Sequence, residues 1–391
     1  MSGAPSIALE EIMAPRLGSV DPSAFPDEDF DLYSIPAFDK GEPEVLTGSQ
    51  IGSAKQNVQP GDVLLSRIVP HIRRAWVVDA QRGRRIIASS EWIVFRGDSV
   101  EPRYLRHVLV GDPFHAEFMR TVSGVGGSLL RARPTYVAKI RIPLPPLSEQ
   151  RRIADILDKA DALRAMRRAA LAQLDALTQS IFLDMFGDPA MNPKGWPLAT
   201  LRDCTEKIQI GPFGSLLHQE DYVSDGVPLV NPKHIQSRII EVDRTESVTA
   251  CKFRELDTYH LRPGDVVMGR RGEMGRCAIV DGTLGPLLCG TGSLFIRPDD
   301  QQTTSVFLHA ILSSRSCKLK FERLALGQTL PNLNSRIVEQ LEIPLPPLAL
   351  QHNFAAQVET VAKLKAAHYV AEVQADILFA SLQHRAFRGE L

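Results

Sequence analysis

Ile142-Pro143-Leu144-Pro145-Pro146-Leu147 recurs 201 residues later as Ile343-Pro344-Leu345-Pro346-Pro347-Leu348. The same offset pairs Arg96 with Arg297, Gly126 with Gly327 and Ser128-Leu129 with Thr329-Leu330. Downstream it pairs Gln150, Ala154, Leu163, Leu177, Ser180 and Phe186 with Gln351, Ala355, Leu364, Leu378, Ser381 and Phe387. Upstream, Pro60-Gly61-Asp62-Val63 matches Pro263-Gly264-Asp265-Val266 at an offset of 203, so a net two extra residues lie in the first half before Arg96. A period of this length is too long for a solenoid. Collinear matches on both sides of the proline stretch argue against chance recurrence of a linker. The chain therefore reads as a duplicated unit, a globular head followed by a helix. The register is unbroken from Ile142 to Phe186 and patchy upstream. The helical parts have kept a common job, while the heads diverged or were acquired separately.

The first helix is expected to open at Ser148, behind Pro145-Pro146, with Ser148 as cap and Arg151 and Arg152 following. Ile153, Ile156, Ala160, Leu163, Ala170, Leu174, Leu177 and Ile181 alternate by threes and fours, the pattern of a coiled-coil seam. Gly187, with Pro189 beyond it, ends the helix. Its span of about 39 residues corresponds to roughly 58 Å. The second copy places Phe354, Val361, Leu364, Ala371, Ala375, Leu378 and Leu382 on the same seam. Arg167 and His368 share one seam position, either to set register or as side chains escaping a loose point. One small domain cannot bury so long and narrow a stripe, so each helix is expected to pair antiparallel with its copy. The outward Arg164, Arg168, Ala169, Ala172 and Gln173 form a face suited to docking further subunits, or else a solvated one.

The heads read as mixed α and β. Strands are expected at Asp62–Ser66, Arg85–Ala88 and Trp92–Phe95, with counterparts at Asp265–Met268 and Leu294–Ile296. Short helices are expected at Tyr104–Leu109 and Val306–Leu312. The fold class is thus α+β: two globular mixed α/β domains joined by two long helices pairing as an antiparallel coiled coil. The boundaries fall at 1–147, 148–187, 188–348 and 349–391.

With 44% hydrophobic and 23% charged residues, the chain is neither disordered nor membrane-spanning in composition. Its N-terminus lacks the pattern of a signal peptide, which predicts a cytoplasmic protein. The five cysteines, Cys204, Cys251, Cys277, Cys289 and Cys317, fit neither a disulfide framework nor a zinc site. The net charge of −1 hides an uneven distribution. Glu10 to Glu44 is acidic, whereas Arg67 to Arg141 holds thirteen Arg and one Lys against six acids. Arginine suits phosphates and guanine edges.

Three loop regions are candidates for contact with DNA. The first follows the Pro-Gly-Asp strand: Arg67, His71, Arg73 and Arg74 in head one, and Arg270, Arg271 and Arg276 in head two. Glycines beside arginine let backbone and guanidinium approach a phosphate together, although a β-turn with solvated arginines would look the same. The second is Gly126-Gly127-Ser128-Leu129 with Arg131 and Arg133, matched by Gly327, Gln328, Thr329 and Asn332. The third is Gly211-Pro212-Phe213-Gly214-Ser215, whose Gly211, Phe213 and Ser215 have no counterpart in head one. Asn192-Pro193-Lys194-Gly195 and Asn231-Pro232-Lys233 fit turns better than a methyltransferase motif, and Lys233 joins the candidate DNA contacts. No catalytic constellation, nucleotide fingerprint or metal pair stands out, so no catalytic or metal residue is assigned. The competing classes are a self-contained nuclease or methyltransferase, and a scaffold that touches no DNA.

These motifs together resemble the specificity subunit of type I restriction-modification systems. The resemblance rests on Ile-Pro-Leu-Pro-Pro-Leu followed by Ser148-Glu149-Gln150-Arg151-Arg152-Ile153-Ala154 and on Gly211-Pro212-Phe213-Gly214-Ser215. It also rests on Pro-Gly-Asp-Val in both heads and on Phe186-Gly187-Asp188-Pro189 leading to Gly195-Trp196-Pro197. Head one lacks the Gly-Pro-Phe-Gly-Ser turn, and the second helix starts Ala349-Leu350-Gln351-His352. The resemblance implies two target-recognition domains, each reading one half of a split site in double-stranded DNA. The helices would act as a ruler and as the dock for methyltransferase subunits, two by the symmetry of the repeat, with restriction/translocase subunits joining. It implies no cofactor in this chain: S-adenosylmethionine, ATP and magnesium would belong to the partners. It implies no membrane.

Overall fold

Both Pro-Pro junctions lead directly into long helices, Leu147–Phe186 and Leu348–Arg388, of 40 and 41 residues. The computed structural model describes residues 5–15, 18–124, 130–271, 275–325 and 333–391. It divides each helix between two compact units, residues 1–168 with 370–391 and residues 169–369. The first helix begins one residue before Ser148, so Ser148 lies within the first turn instead of capping it. Gly187 ends it at φ +80°. A Cβ there would meet Pro193 Cγ at 2.5 Å, so only glycine fits.

In the first unit, Val63–Ser66 stands between Ala75–Val77 and Trp92–Phe95 in an antiparallel sheet. A five-stranded sheet runs in the order Ser19–Val20, Lys55–Asn57, Arg85–Ala88, Asp29–Tyr33, Glu44–Thr47, with Asp29–Tyr33 and Arg85–Ala88 parallel. The second unit repeats this frame. Val266–Gly269 stands between Ser293–Pro298 and Cys277–Ile279, and Thr205–Ile210 extends the sheet beyond Ser293–Pro298. Its five-stranded sheet again carries one parallel pair, Val227–Val230 with Leu287–Cys289. In each head a short N-terminal strand closes onto the strand just before the prolines: Ser6–Ala8 onto Arg141–Pro143, and Leu198–Thr200 onto Glu342–Pro344. The expected strands and the helices Pro102–Val110 and Ser305–Leu312 are present.

The two repeat offsets belong to one interaction. Asp62, fully buried, accepts the Gln59 N–H at 2.9 Å and both arms of Arg96 at 2.6 and 2.7 Å. Asp265 accepts the Arg262 N–H at 2.7 Å and Arg297 at 2.8 and 2.7 Å. A buried carboxylate needs such pairing, which explains why Pro-Gly-Asp and the distant arginine recur together.

A buried glutamine anchors each head to its own helix. Gln150 accepts the Glu101 N–H at 2.9 Å and donates to the Ser99 and Pro145 carbonyls at 3.0 and 2.8 Å. Gln351 accepts the Thr304 N–H and the Thr303 hydroxyl at 3.0 Å and donates to Gln302 and Pro346. The far end of the other helix completes each core. Phe379, Leu382, Ala386 and Phe387 pack with Tyr104, Ile153 and Leu157 in the first unit. Phe182 and Phe186 pack with Phe307 and Phe354 in the second.

The helix halves run antiparallel within each unit, as Arg152–Leu391, Arg164–Asp376 and Arg168–Glu372 show in the first and Asp175–Lys365 and Met185–Gln357 in the second. The expected seam needs correcting in its middle. Ile153, Phe354 and Val361 are buried, and Ile156, Leu174, Ile181 and Leu382 partly so. Leu163, Leu177, Leu364 and Leu378, however, are 55, 40, 48 and 54% exposed. The inward positions drift by one residue, to Leu157, Arg164, Leu171, Thr178 and Phe182 on the first helix and to Lys365, Glu372, Phe379 and Ala386 on the second, while His368 stays half-buried at its expected seam position. Arg164 takes the place expected of Leu163: it pairs with Asp376 at 2.5 Å and lies 4.4 Å over the Phe379 ring. Where Arg164 and Arg168 hold the pairing by charge, leucine is not required, and Leu163 and Leu378 face outward.

Replacing Gln150 or Gln351 with Leu leaves two carbonyls and at least one donor without a partner. The expected loss is about 1–3 kcal/mol for each group left buried and unpaired. Denaturant titration of each variant measures it. Wild-type stability in both would show that the glutamines do not anchor the heads.

Candidate nucleic-acid interface

In the second head, four loops meet at Gly290–Ser293. Gly211, closing the strand Thr205–Ile210, donates its N–H to the Ser293 carbonyl at 2.9 Å. Its α-carbon is packed so tightly that a Cβ would fall 1.9 Å from the Gly290 carbonyl oxygen. Gly290 lies against Asn231 Oδ1, and Gly269 and Gly292 lie against the Pro232 ring. The turns Gly211–Ser215, Asn231–Lys233, Gly269–Arg271 and Gly290–Ser293 thus form one platform in which glycine is required by close approach. This corrects the expected role of Gly211, a packing residue buried beneath the turn. Phe213 and Ser215 project from it, Phe213 with 57% of its surface exposed.

Arg270 lies at the centre of the platform with only 4% of its surface exposed. Its N–H reaches the Gly292 carbonyl at 3.1 Å and its own carbonyl accepts the Leu333 N–H at 3.0 Å. Its guanidinium is 5.9 Å from the Phe213 ring, within cation–π range. Burial lowers its pKa, and neighbouring Arg271 lowers it further. Arg271 is exposed and Arg276 half-buried. Lys233 pairs with Glu246 at 2.5 Å beside a cleft of about 790 Å³ lined by Tyr222, Asn231 and Thr245. An adjoining cleft of about 580 Å³ gathers Lys233, Arg238, Arg276 and Lys318. Arg238 stands in a two-residue hairpin turn, Ser237 at φ +48° and Arg238 at φ +66°. Neither residue is a favoured type for such a turn, and no sequence signal marked Arg238, Asn231 or Pro232 as part of an interface.

The first head is different. Arg67 and Arg131 both grip Glu91, at 2.9 and 3.2 Å. Arg73 bonds Asp112 at 2.6 Å and the Val110 carbonyl at 3.1 Å. Arg74, expected at a DNA contact, is instead a structural residue: 8% exposed and bidentate to Asp39 at 2.8 and 2.9 Å. Arg84 and Arg85 pair likewise with Asp31 and Glu28. Three arginines of the basic stretch are thus paired with the acidic N-terminal segment, and Arg67, Arg73 and Arg131 with acids of their own stretch. His71 is exposed, and Arg133 bonds Ser123 Oγ at 2.7 Å and lies 5.8 Å from the Tyr136 ring. Val69, at φ +47°, strains the loop between Arg67 and His71. Ser128, Gln328, Thr329 and Asn332 lie outside the described residues. The residues that follow them are fixed: Ala132 N–H on the Arg67 carbonyl at 2.8 Å, and Leu333 N–H on that of Arg270.

A family model, Type I restriction modification DNA specificity domain, matches residues 77–176 and 205–369. The chain is 23% identical over 327 residues to the type I restriction enzyme EcoBI specificity subunit of Escherichia coli, covering 75% of this chain and 66% of that one, just under two thirds of its length. It is also 23% identical to a putative type I restriction enzyme MjaX specificity subunit of Methanocaldococcus jannaschii, covering 79% of this chain and 73% of that one. Among solved structures, a chain from work on complex assembly and conformational transition of the type I R-M system aligns with TM-score 0.64. It is 21% identical and covers 100% of this chain and 99% of that one. The S subunit of a type I system from M. genitalium aligns with TM-score 0.59 at 13% identity, covering 98 and 96%. These likenesses show the fold.

Gly211→Ala forces a Cβ onto the Gly290 carbonyl, whereas at Gly214 nothing lies within 4 Å. Gly211→Ala is expected to destabilise the chain by more than about 1 kcal/mol and Gly214→Ala by no more than about 0.5 kcal/mol. Equal melting temperatures would contradict the platform packing.

Proposed function

The chain belongs to the type I restriction modification DNA specificity family, and we propose on that premise that it is the DNA-recognition subunit of a type I restriction-modification complex. Residues 1–147 and 188–348 are its target-recognition domains, each reading one half of a bipartite site in double-stranded DNA. Residues 148–187 and 349–391 set the gap between the half-sites and dock the methyltransferase subunits, two of them, with restriction/translocase subunits added in the full assembly. The chain itself is non-catalytic; S-adenosylmethionine, ATP and magnesium act in the partners, and the complex works in the cytoplasm. Among the described residues no helix is long and apolar enough to cross a membrane.

The recurrence of one domain family in both halves of the chain carries this reading. Outward apolar side chains on the helices support docking. Leu163, Met166, Val370, Val373 and Ile377 are exposed in the first unit, and Leu177 and Leu364 in the second. Exposed apolar stripes of this kind suit partner surfaces. Exposed Phe213 and Arg271 beside the glycine platform support DNA contact, as arginines near close-approach glycines suit phosphates and base edges.

Inserting seven residues at matched points of both helices adds two turns, about 10 Å. The recognised gap, read by sequencing methylated sites, is expected to lengthen by about three base pairs at roughly 3.4 Å each. An unchanged gap would rule out the ruler.

A further inference from the structure

Arg67 and Arg270 occupy equivalent positions. Each follows the last residue of the central strand, Ser66 paired with Trp92 and Gly269 with Ser293. Each donates its N–H to the residue before the neighbouring strand, Arg67 to the Glu91 carbonyl at 3.0 Å and Arg270 to that of Gly292 at 3.1 Å. Glu91 and Gly292 are thus counterparts. In the first head the Glu91 side chain returns to Arg67, meeting Nε at 2.9 Å. In the second, the counterpart has no side chain. None can be placed there, because a Cβ on Gly292 would lie 2.9 Å from Pro232 Cδ and 3.2 Å from its Cγ.

The consequence falls on Arg270. Its Nε is buried with no hydrogen-bond partner among the described residues, and a buried guanidinium donor left unpaired is costly. Ser293 Oγ, on the same platform, is also buried without a partner among the described residues. Such groups ask for an explanation, and the counterpart head supplies one: the acceptor at this position is an anionic oxygen. We propose that a DNA phosphate oxygen takes, at Arg270, the place that the Glu91 carboxylate takes at Arg67. The first head carries its own anion and the second takes its anion from DNA. Exposed Phe213 lies beside the guanidinium, its ring 5.9 Å away. This inference rests on the DNA-recognition reading above.

The test uses the full chain assembled with its methyltransferase subunits, and duplexes carrying either the methylated site or random sequence. Binding is followed across a salt series, alongside melting temperature. Arg270→Met keeps the aliphatic stem and removes the donor. It is expected to weaken binding roughly 10-fold or more on both duplexes. The slope of log affinity against log salt should shrink by about 0.9, one phosphate contact. Because it removes a buried donor, Nε, that has no acceptor among the described residues, its melting temperature should stay level or rise. Arg67→Met, which strips Glu91 of one of its two arginines, should melt lower. Arg270→Lys retains the charge and should restore the slope. Unchanged affinity and slope in Arg270→Met would overturn the proposal. So would a loss confined to one base pair of the site, which marks base reading. If the unmodified complex binds neither duplex, the recognition reading itself falls; if it binds and Arg270→Met binds equally, only the role of Arg270 does.

Discussion

Each long helix leaves its head through a buried glutamine whose amide bonds the loop ahead of a short helix and the carbonyl of the first proline in the Pro-Pro pair. Because Gln150 and Gln351 fix the direction in which the helices depart, everything further along depends on them. The helix halves meet antiparallel, the phenylalanines at the distal ends reach the correct core, and both units close. A side-chain amide suits this task. It donates and accepts at once, so it can bridge an N–H and a carbonyl that the prolines leave without partners. The flanking prolines cannot continue a strand and stiffen the corner.

Charge follows a different logic from the one its distribution along the chain suggests. Acidic and basic stretches that look like separate surfaces are two sides of one structure, with Asp31, Asp39 and Glu28 meeting Arg84, Arg74 and Arg85. Pairs of this kind near the surface add little stability. They do lower the local positive potential of the first head and leave it less able to attract phosphates than its arginine count suggests. The second head carries a similar number of cations, and it gathers Lys233, Arg238, Arg276 and Lys318 about one cleft. The two heads share a frame and differ in electrostatic character.

The repeat, the strand positions around Val63–Ser66 and Val266–Gly269, and the reach of both helices were legible in the sequence, because turn chemistry and helical periodicity are local. The middle of the helix pairing was not. A three-four pattern cannot distinguish an inward stripe from an outward one when both carry leucine, and Arg164 with Asp376 decided the matter through a contact 212 residues apart in the chain. The platform was half legible: Gly211, Phe213, Arg270 and Arg271 were picked out as loops, but Pro232 and Gly290, which bring those loops together, carry no local signal. Arg74 was misread because arginine beside glycine or histidine looks alike whether it faces phosphate or a carboxylate such as Asp39.

The sharing of each core between one head and the opposite end of the other helix has a consequence for biosynthesis. Residues 169–369 form a continuous segment, so the second unit has all its contacts as soon as that stretch has been made. The first unit does not. Although its head is translated first, Tyr104, Ile153 and Leu157 lack Phe379, Leu382, Ala386 and Phe387 until residues 370–391 have been made. Contacts this far apart close slowly. In this chain the usual order, N-terminal domain first, is reversed: the earlier head waits with part of its apolar surface open while the later one completes.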